Sequence, residues 1–197
     1  MRNINKYIKN LQKYCNNTFK YEISNNIIKV FVDIEIYYDY DYLSHILYMW
    51  ERGSKSELWH LSDAKSANLN FAMLLRNSFY YKQTEHNFSD DLEKCTNLKS
   101  LSKICSKYFN SKYYSVGYTN DNKLSIIEST SDNTYMILYT KNEKKYVIDK
   151  NSDCEYIFMR FVQEVSYYIK FLSDLKDYQK IFKEDFTAGE IINLLGY

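Results

Sequence analysis

Proline is absent from this 197-residue chain, and its four glycines stand far apart, at positions 53, 117, 189 and 196. Isolated glycines cannot form the glycine-rich loops that hold nucleotide phosphates, and neither a P-loop nor a G-x-G-x-x-G motif occurs. A G-x-S-x-G nucleophile motif is missing as well. The sequence therefore lacks the usual signatures of nucleotide-dependent and serine-hydrolase enzymes, and we predict no catalytic activity.

Charge of one sign is also lacking, because 26 Lys and Arg residues face 25 Asp and Glu residues, for a net charge of +1. Such a balance provides no overall field to attract nucleic acid or an anionic membrane, so we expect no membrane and no direct nucleic-acid partner. No stretch approaches the ~20 apolar residues of a membrane span. The first residues lack the apolar core of a signal peptide. We therefore expect a cytoplasmic protein.

The cysteines and histidines show no spacing typical of a metal site or of a disulfide framework. They are Cys15, Cys95, Cys105, Cys154, His45, His60 and His86. Scattered cysteines fit reduced thiols better than disulfide bonds. We therefore predict no bound metal and no cofactor.

The first part of the chain alternates between helical and strand periodicity. Apolar residues between Ile4 and Cys15 recur at helical spacing, which predicts an amphipathic helix. From residue 19 the period changes to two, and residues 19–24 and 27–36 predict a hairpin. One face of the second strand would carry Ile28, Val30, Val32, Ile34 and Ile36.

Two more strands and a helix follow this hairpin. Residues 45–50 and 57–61 read as strands joined by a turn in which Gly53 supplies the positive φ. Residues 62–81 return to helical spacing, with Ser62 or Asp63 as the N-cap. Near the end of the chain, Thr187 and Glu190 have the spacing of a capping box that begins a short final helix.

The second half of the chain repeats this order of elements at a distance of about ninety residues. Residues 103–109 resemble residues 13–19, and the Ile-Leu-Tyr at 137–139 matches that at 46–48. No Gly/Ser-rich linker separates the halves. We therefore predict an α+β fold of two pseudo-repeated helix–antiparallel sheet–helix units, residues 1–96 and 97–197, packed as one compact body.

The segment at residues 37–42, four tyrosines interleaved with two aspartates, has no counterpart in the second half, which is about five residues shorter here. An insertion of this kind predicts a surface loop. Tyrosines supply contact area with a polar tip, and aspartates attract a basic partner. The predicted contact residues are Asp33, Glu35, Tyr37, Tyr38, Asp39, Tyr40, Asp41 and Tyr42.

Two other interpretations of these residues stay open. Asp33 and Glu35 would share one strand face, where a carboxylate pair could bind a metal for hydrolysis with His45 or His60. A regulator that binds nucleic acid is the second alternative, and it predicts association that weakens steeply with salt.

An aromatic strand runs into Glu-Arg-Gly at Trp50, Glu51, Arg52 and Gly53, and an apolar helix follows at residues 69–81. In these features the chain resembles a family of bacterial immunity proteins associated with polymorphic and contact-dependent growth-inhibition toxins. The resemblance implies a small cytoplasmic α+β protein that binds the C-terminal domain of a cognate toxin and blocks it stoichiometrically. The acidic and aromatic residues between Asp33 and Tyr42 would suit a basic toxin, such as a nuclease. Trp50, Glu51 and Arg52 are the second predicted contact set.

Overall fold

The computed structural model describes residues 4–16, 19–79, 88–129 and 131–196. These residues form helices and two β-sheets, which confirms the α+β prediction. The chain divides into two compact units. The first unit comprises Met1–Thr84 and Asp174–Glu190, and the second comprises Glu85–Ser173 and Ile191–Tyr197.

The first unit contains a five-stranded antiparallel sheet whose strands follow one another in sequence order. Short turns permit this arrangement, since neighbouring strands need no crossover. Its elements are α1 (Ile4–Tyr14), β1 (Tyr21–Ser24), β2 (Ile27–Phe31), β3 (Ile36–Asp41), β4 (Ile46–Glu51), β5 (Ser54–His60) and α2 (Ala64–Phe79). Of the two predicted N-caps, Asp63 acts at α2, because its carboxylate accepts a 2.8 Å hydrogen bond from the Ser66 backbone N–H.

The core of the first unit lies between one face of this sheet and the two helices. The inner face of the sheet buries Ile28, Val30, Tyr38, Tyr40 and Leu47. Helix α1 contributes its apolar stripe, as predicted, and α2 contributes mainly leucine, phenylalanine and alanine. The helices therefore cover only one side of the sheet, which we call the inner face.

The second unit contains a four-stranded sheet and several helices. Its strands are β6 (Tyr114–Val116), β7 (Lys123–Ser129), β8 (Thr134–Lys141) and β9 (Lys144–Asn151). The helices of the remaining chain are α3 (Ser89–Leu92), α4 (Leu98–Tyr108), α5 (Cys154–Phe182) and α6 (Ala188–Leu195). Helix α5 buries Ile157, Phe161, Val165 and Tyr168, which recur at helical spacing.

The duplication is not confirmed. The first sheet has five strands and the second has four, and β6 pairs with β7 in parallel, whereas all pairs of the first sheet are antiparallel. A parallel pair without a helical crossover is possible here because β6 has only three residues, so residues 117–122 can span its length. The prediction of an all-antiparallel chain is therefore wrong at this pair. The division at residues 96 and 97 rests on the duplication and stays a prediction.

The predicted capping box is present before α6. The backbone N–H of Thr187 donates to Glu190 over 2.6 Å, and the Glu190 N–H donates to the Thr187 hydroxyl over 3.3 Å. Among the described residues, no helix is both long and apolar enough to cross a membrane.

Candidate functional site: the outer face of the first sheet

Residues 32–35 form a turn where the sequence predicted one continuous strand. The Asp33 carboxylate accepts hydrogen bonds of 2.7 Å from the backbone N–H groups of both Glu35 and Ile36. These bonds satisfy the backbone locally and reverse the chain, as aspartate side chains commonly do in turns. The prediction that Val32 and Ile34 continue the buried face is therefore wrong, and Ile34 is fully exposed, at 103% of its reference area.

The tyrosine–aspartate segment is strand β3 and not a surface loop, so the loop prediction is wrong. Its side chains alternate between the two faces of the sheet, because β3 is hydrogen-bonded on both sides, to β2 and to β4. Tyr38 and Tyr40 point into the core, with 7% and 0% of their areas exposed. These two tyrosines are therefore unavailable to a partner, contrary to their prediction as contact residues.

Tyr40 is integrated into the core by two contacts. Its ring stacks on Phe71 of α2 at a centroid distance of 4.5 Å, and its hydroxyl donates to the Asn68 side-chain oxygen over 3.0 Å. Burial raises the pKa of Tyr40. Tyr42, beyond the end of β3, is half-buried with its ring 5.3 Å from that of Tyr7. Tyr40 and Tyr42 therefore contribute to packing within the first unit.

The outward-facing side of β3 contributes to an aromatic row on the outer face of the sheet. The row consists of Phe31, Tyr37 and Trp50, one residue from each of β2, β3 and β4, placed side by side by the strand register. The Tyr37 ring lies 5.8 Å from that of Phe31 and stacks on Trp50 at 5.5 Å with an interplanar angle of 14°. All three residues are half-buried. Rings packed against one another in this way present a rigid apolar surface.

Three lysines lie over the rings of this face. The ammonium of Lys20 is 5.1 Å from the Phe31 centroid, and that of Lys29 is 4.6 Å from the Tyr37 centroid. Lys55 lies 3.7 Å from the ring of Tyr48. These distances are within the range of cation–π attraction. None of the three lysines forms an ion pair with a carboxylate in the part of the chain that the structure describes.

A charged row runs beside the aromatic row. Cross-strand pairing places its members in the order Glu22, Lys29, Asp39, Tyr48 and Glu57. This row contains three acidic side chains and one lysine. Together with Lys20 and Lys55 over the rings, it gives the outer face charges of both signs.

The predicted acidic contacts are held within the fold. Asp39 accepts a 2.8 Å hydrogen bond from the indole N–H of Trp50. Asp41 accepts from the backbone N–H groups of Leu43 and Ser44, over 2.9 and 3.1 Å. Burial raises the pKa of Asp41, but the hydrogen bonds from Ser44 and Leu43 outweigh it and keep the pKa below its ordinary value. Sequence reasoning treated these carboxylates as attractors for a basic partner, whereas much of their hydrogen-bonding capacity is used locally.

The two predicted contact sets meet at one end of the sheet. Arg52 and Gly53 both have positive φ, 50° and 79°, which gives a tight turn between β4 and β5. The Arg52 backbone N–H donates to the Glu35 carbonyl over 3.0 Å, and the two side chains form a 2.8 Å ion pair. The exposed Glu51 precedes this turn. The turn at residues 32–35 and the Trp-Glu-Arg-Gly hairpin are therefore neighbours.

The histidines do not assemble with these carboxylates into a metal site. His45 adopts a positive φ of 58° in the turn after β3, and its backbone bonds to Asp41 and Leu61. His60 ends β5 opposite Ile46, and His86 lies outside the described residues. Within residues 4–16, 19–79, 88–129 and 131–196, no three His, Cys, Asp or Glu side chains are grouped as metal ligands. The hydrolase alternative thus gains no support from the geometry.

A cavity of about 490 Å³ lies in the first unit where α1 and α5 end, lined by several cationic side chains. Among these, Lys13 and Lys180 belong to the last turns of the two helices. Lysines in this position offset the negative end of the helix dipole. Arg76, also in the lining, is already held by Asp174 and Asp177. The cavity is therefore a weaker candidate for a binding site than the outer face.

Sequence reasoning missed Phe31, Tyr48, Lys29 and Lys55 as members of the surface. The available signal was the period-two alternation, which places residues 29 and 31 opposite the buried residues 28 and 30. That signal identifies a face but does not show which strands are neighbours. Comparison with known proteins finds no matching family model, no similar curated protein and no similar solved structure.

Proposed function

We propose that this protein is an immunity protein, a stoichiometric inhibitor that binds one toxin domain through the outer face of its first sheet. The observation that carries the proposal is the aromatic row of Phe31, Tyr37 and Trp50 on the sheet face opposite the helices. Aromatic residues framed by charged groups are typical of the energetically dominant part of a protein interface. The family resemblance at residues 50–53 also supports a toxin contact at this end of the sheet.

The proposed mode of action is occlusion in the cytoplasm of the producing cell, without catalysis and without a cofactor. A face built from three adjacent strands is rigid, so little conformational entropy is lost on binding. The partner is a toxin C-terminal domain. Tyr37, Trp50, Glu51 and Arg52 are the contact residues retained from the sequence predictions, and Phe31 is added to them.

Single-stranded nucleic acid is the other class of partner that stacks on aromatic rings beside lysines. The charged row opposes it, because Glu22, Asp39 and Glu57 lie beside the rings and repel phosphates. A protein partner can complement a face that carries charges of both signs. We therefore prefer a protein partner for this face.

The test is co-expression with the product of the neighbouring open reading frame, which the proposal requires to be a toxin. We expect rescue of growth and a 1:1 complex by size-exclusion chromatography with light scattering. Tyr37→Ala and Trp50→Ala should each weaken the complex about 30-fold or more by calorimetry. Tyr118→Ala, which alters an exposed tyrosine of the second unit, is the matched control and should bind normally.

Three results would contradict the proposal. Failure to rescue growth together with failure to co-purify would refute the proposed inhibitor function. Normal binding by both Tyr37→Ala and Trp50→Ala would show that the toxin domain binds a surface other than the aromatic row. Salt-dependent binding of single-stranded DNA or RNA to the row, in place of the toxin domain, would identify a nucleic-acid partner.

A further inference from the structure

The carboxylate of Asp39 is partly buried and binds the indole of Trp50. Its Oδ2 atom accepts the 2.8 Å hydrogen bond from the Trp50 N–H. Its other oxygen, Oδ1, is buried and has no hydrogen-bond partner among the described residues. A partner that docks on the outer face therefore cannot reach Oδ1, and the Trp50 indole is the group on which Asp39 acts.

The strand register places two acidic residues in matching positions beside Trp50. Tyr37 pairs with Trp50, and two positions along the strand Asp39 pairs with Tyr48. Asp39 is thus a diagonal neighbour of Trp50 on the outer face, within reach of an aromatic side chain. Glu57 also pairs with Tyr48, from the opposite side, and is the other diagonal neighbour. The indole N–H donates to Asp39, which gives the two acids different roles.

The hydrogen bond selects one orientation of the indole. The χ2 torsion of a tryptophan side chain is roughly two-fold, so the ring can turn over in place. Only one of the two orientations can bring Nε1 beside Asp39. Stacking on Tyr37 does not make this choice, because a flat ring can stack through either of its faces. Asp39 therefore decides which edge of the Trp50 indole is presented to a partner.

The same hydrogen bond determines what a partner finds at Trp50. The indole N–H is the only hydrogen-bond donor of a tryptophan side chain. Because Asp39 accepts it, Trp50 has no donor left for a partner. A polar group placed against the ring would lose its water without gaining a hydrogen bond. The partner atoms that contact Trp50 are therefore expected to be apolar.

We propose that Asp39 is a positioning residue, which holds Trp50 in the orientation that binds the partner and makes no contact with the partner itself. This inference rests on the proposed function, in which Trp50 is a contact residue. It replaces the sequence prediction that the Asp39 carboxylate attracts a basic partner directly. A ring that is already ordered loses less conformational entropy on binding, so Asp39 favours the complex through Trp50.

The first experiment observes the two tryptophan indole N–H groups of the full chain by proton–nitrogen NMR, without any partner. Trp50→Phe removes one signal and so assigns it. We expect Asp39→Leu to speed the exchange of the Trp50 indole proton with water by about tenfold or more, because a charged acceptor is lost. Asp39→Asn keeps an acceptor oxygen and should retain most of the protection.

Glu57→Leu is the matched control. It removes the same charge from the other diagonal neighbour of Trp50, at an exposed position. The control should leave the exchange of the Trp50 indole proton within about twofold of the unaltered chain. Circular dichroism checks that each variant is folded. Equal acceleration by Asp39→Leu and Glu57→Leu, or no acceleration by Asp39→Leu, would refute the positioning role.

The second experiment measures, by calorimetry, binding of the purified product of the neighbouring open reading frame. We expect Asp39→Leu to weaken binding about tenfold and Asp39→Asn to weaken it less than about threefold, because the asparagine still accepts from the indole. In a chain that already carries Trp50→Ala, Asp39→Leu should have no further effect, since Asp39 acts through Trp50. Additive losses would show a direct contact of Asp39 with the partner and would refute the inference.

The outcomes separate this inference from the function on which it rests. If the neighbouring product neither binds nor rescues growth, the inhibitor function is refuted, and the NMR experiment still decides whether Asp39 orients Trp50. If the product binds Asp39→Leu as tightly as the unaltered chain, the positioning role is refuted and the inhibitor function stands. If Asp39→Asn protects the indole proton but binds as poorly as Asp39→Leu, the charge itself contacts the partner and the inference is refuted.

Discussion

Replacing Tyr40 by phenylalanine tests whether the tyrosine–aspartate segment is a strand with one face in the core. The change removes only the phenolic oxygen, which donates to the Asn68 side-chain oxygen over 3.0 Å. The ring keeps its place on Phe71, at 4.5 Å between centroids. Because packing is preserved, the experiment isolates the hydrogen bond.

The expected loss follows from the burial of both groups. Tyr40 is completely buried and Asn68 is 3% exposed, so water cannot easily replace the missing donor. Leaving a buried acceptor without its partner costs about 1 to 3 kcal/mol. At a urea dependence of about 2 kcal/mol per molar, the midpoint of unfolding should fall by roughly 0.5 to 1.5 M.

The assay is urea unfolding followed by circular dichroism, with Tyr37→Phe as the matched control. Tyr37 lies three residues earlier in the same strand but on the outer face, and its hydroxyl forms no hydrogen bond with the residues that the structure describes. The control should change the free energy of unfolding by less than about 0.5 kcal/mol. Equal effects of the two variants would refute the assignment of the faces.

A double-variant cycle sharpens the result. If the Tyr40 hydroxyl and the Asn68 side chain depend on each other, the combined variant Tyr40→Phe with Asn68→Ala is less destabilised than the sum of the single changes, by at least about 0.5 kcal/mol. Strict additivity would show that the loss at Tyr40 has a cause other than this hydrogen bond.

Two further predictions concern buried and exposed charges of the first unit. Arg76→Met should lower the free energy of unfolding by about 3 to 5 kcal/mol in the same assay, because it leaves the buried carboxylate of Asp174 without its guanidinium. The double variant Arg76→Met with Asp174→Leu should recover part of this loss, and additive losses would contradict the reasoning. Hydrogen bonds from Lys65 and Thr187 lower the pKa of Glu190 to about 2, so its stabilising effect is present above pH 4.5 and is lost as the pH falls toward 2. A carbon-detected NMR titration should give Glu190 a midpoint near 2, and Lys65→Met should raise it; an ordinary midpoint in the unaltered chain would refute the pairing.

Local patterns in the sequence predicted the helices of the first unit, the hairpin at Gly53 and the capping box before α6. These features depend on residues close together in the chain, such as Thr187 and Glu190, whose hydrogen bonds span three positions. The alternation of apolar residues also identified Ile28 and Val30 as core. Local geometry is therefore readable from residue type and spacing.

The same alternation failed at residues 32–36. Val32, Ile34 and Ile36 continue the period of two, but Asp33 offers the backbone a turn in place of a strand. The period-two pattern depends only on the apolar side chains and does not include the hydrogen bonds that the Asp33 carboxylate accepts from the backbone. Because the turn lies at residues 32–35 and not after Ile36, the next segment is strand β3 and not a loop. This strand buries Tyr38 and Tyr40.

The sequence by itself determined the α+β composition, the amphipathic helices and the turn residues, because each depends on contacts within a few positions of the chain. Only the tertiary structure decided which tyrosines are core and which are surface, since that depends on which strands are neighbours and in what register. Phe31, Tyr37 and Trp50 are separated in sequence and become one row only through pairing of β2, β3 and β4. A surface assembled from cross-strand neighbours follows from register, and register is set by long-range burial and by turns such as that of Asp33.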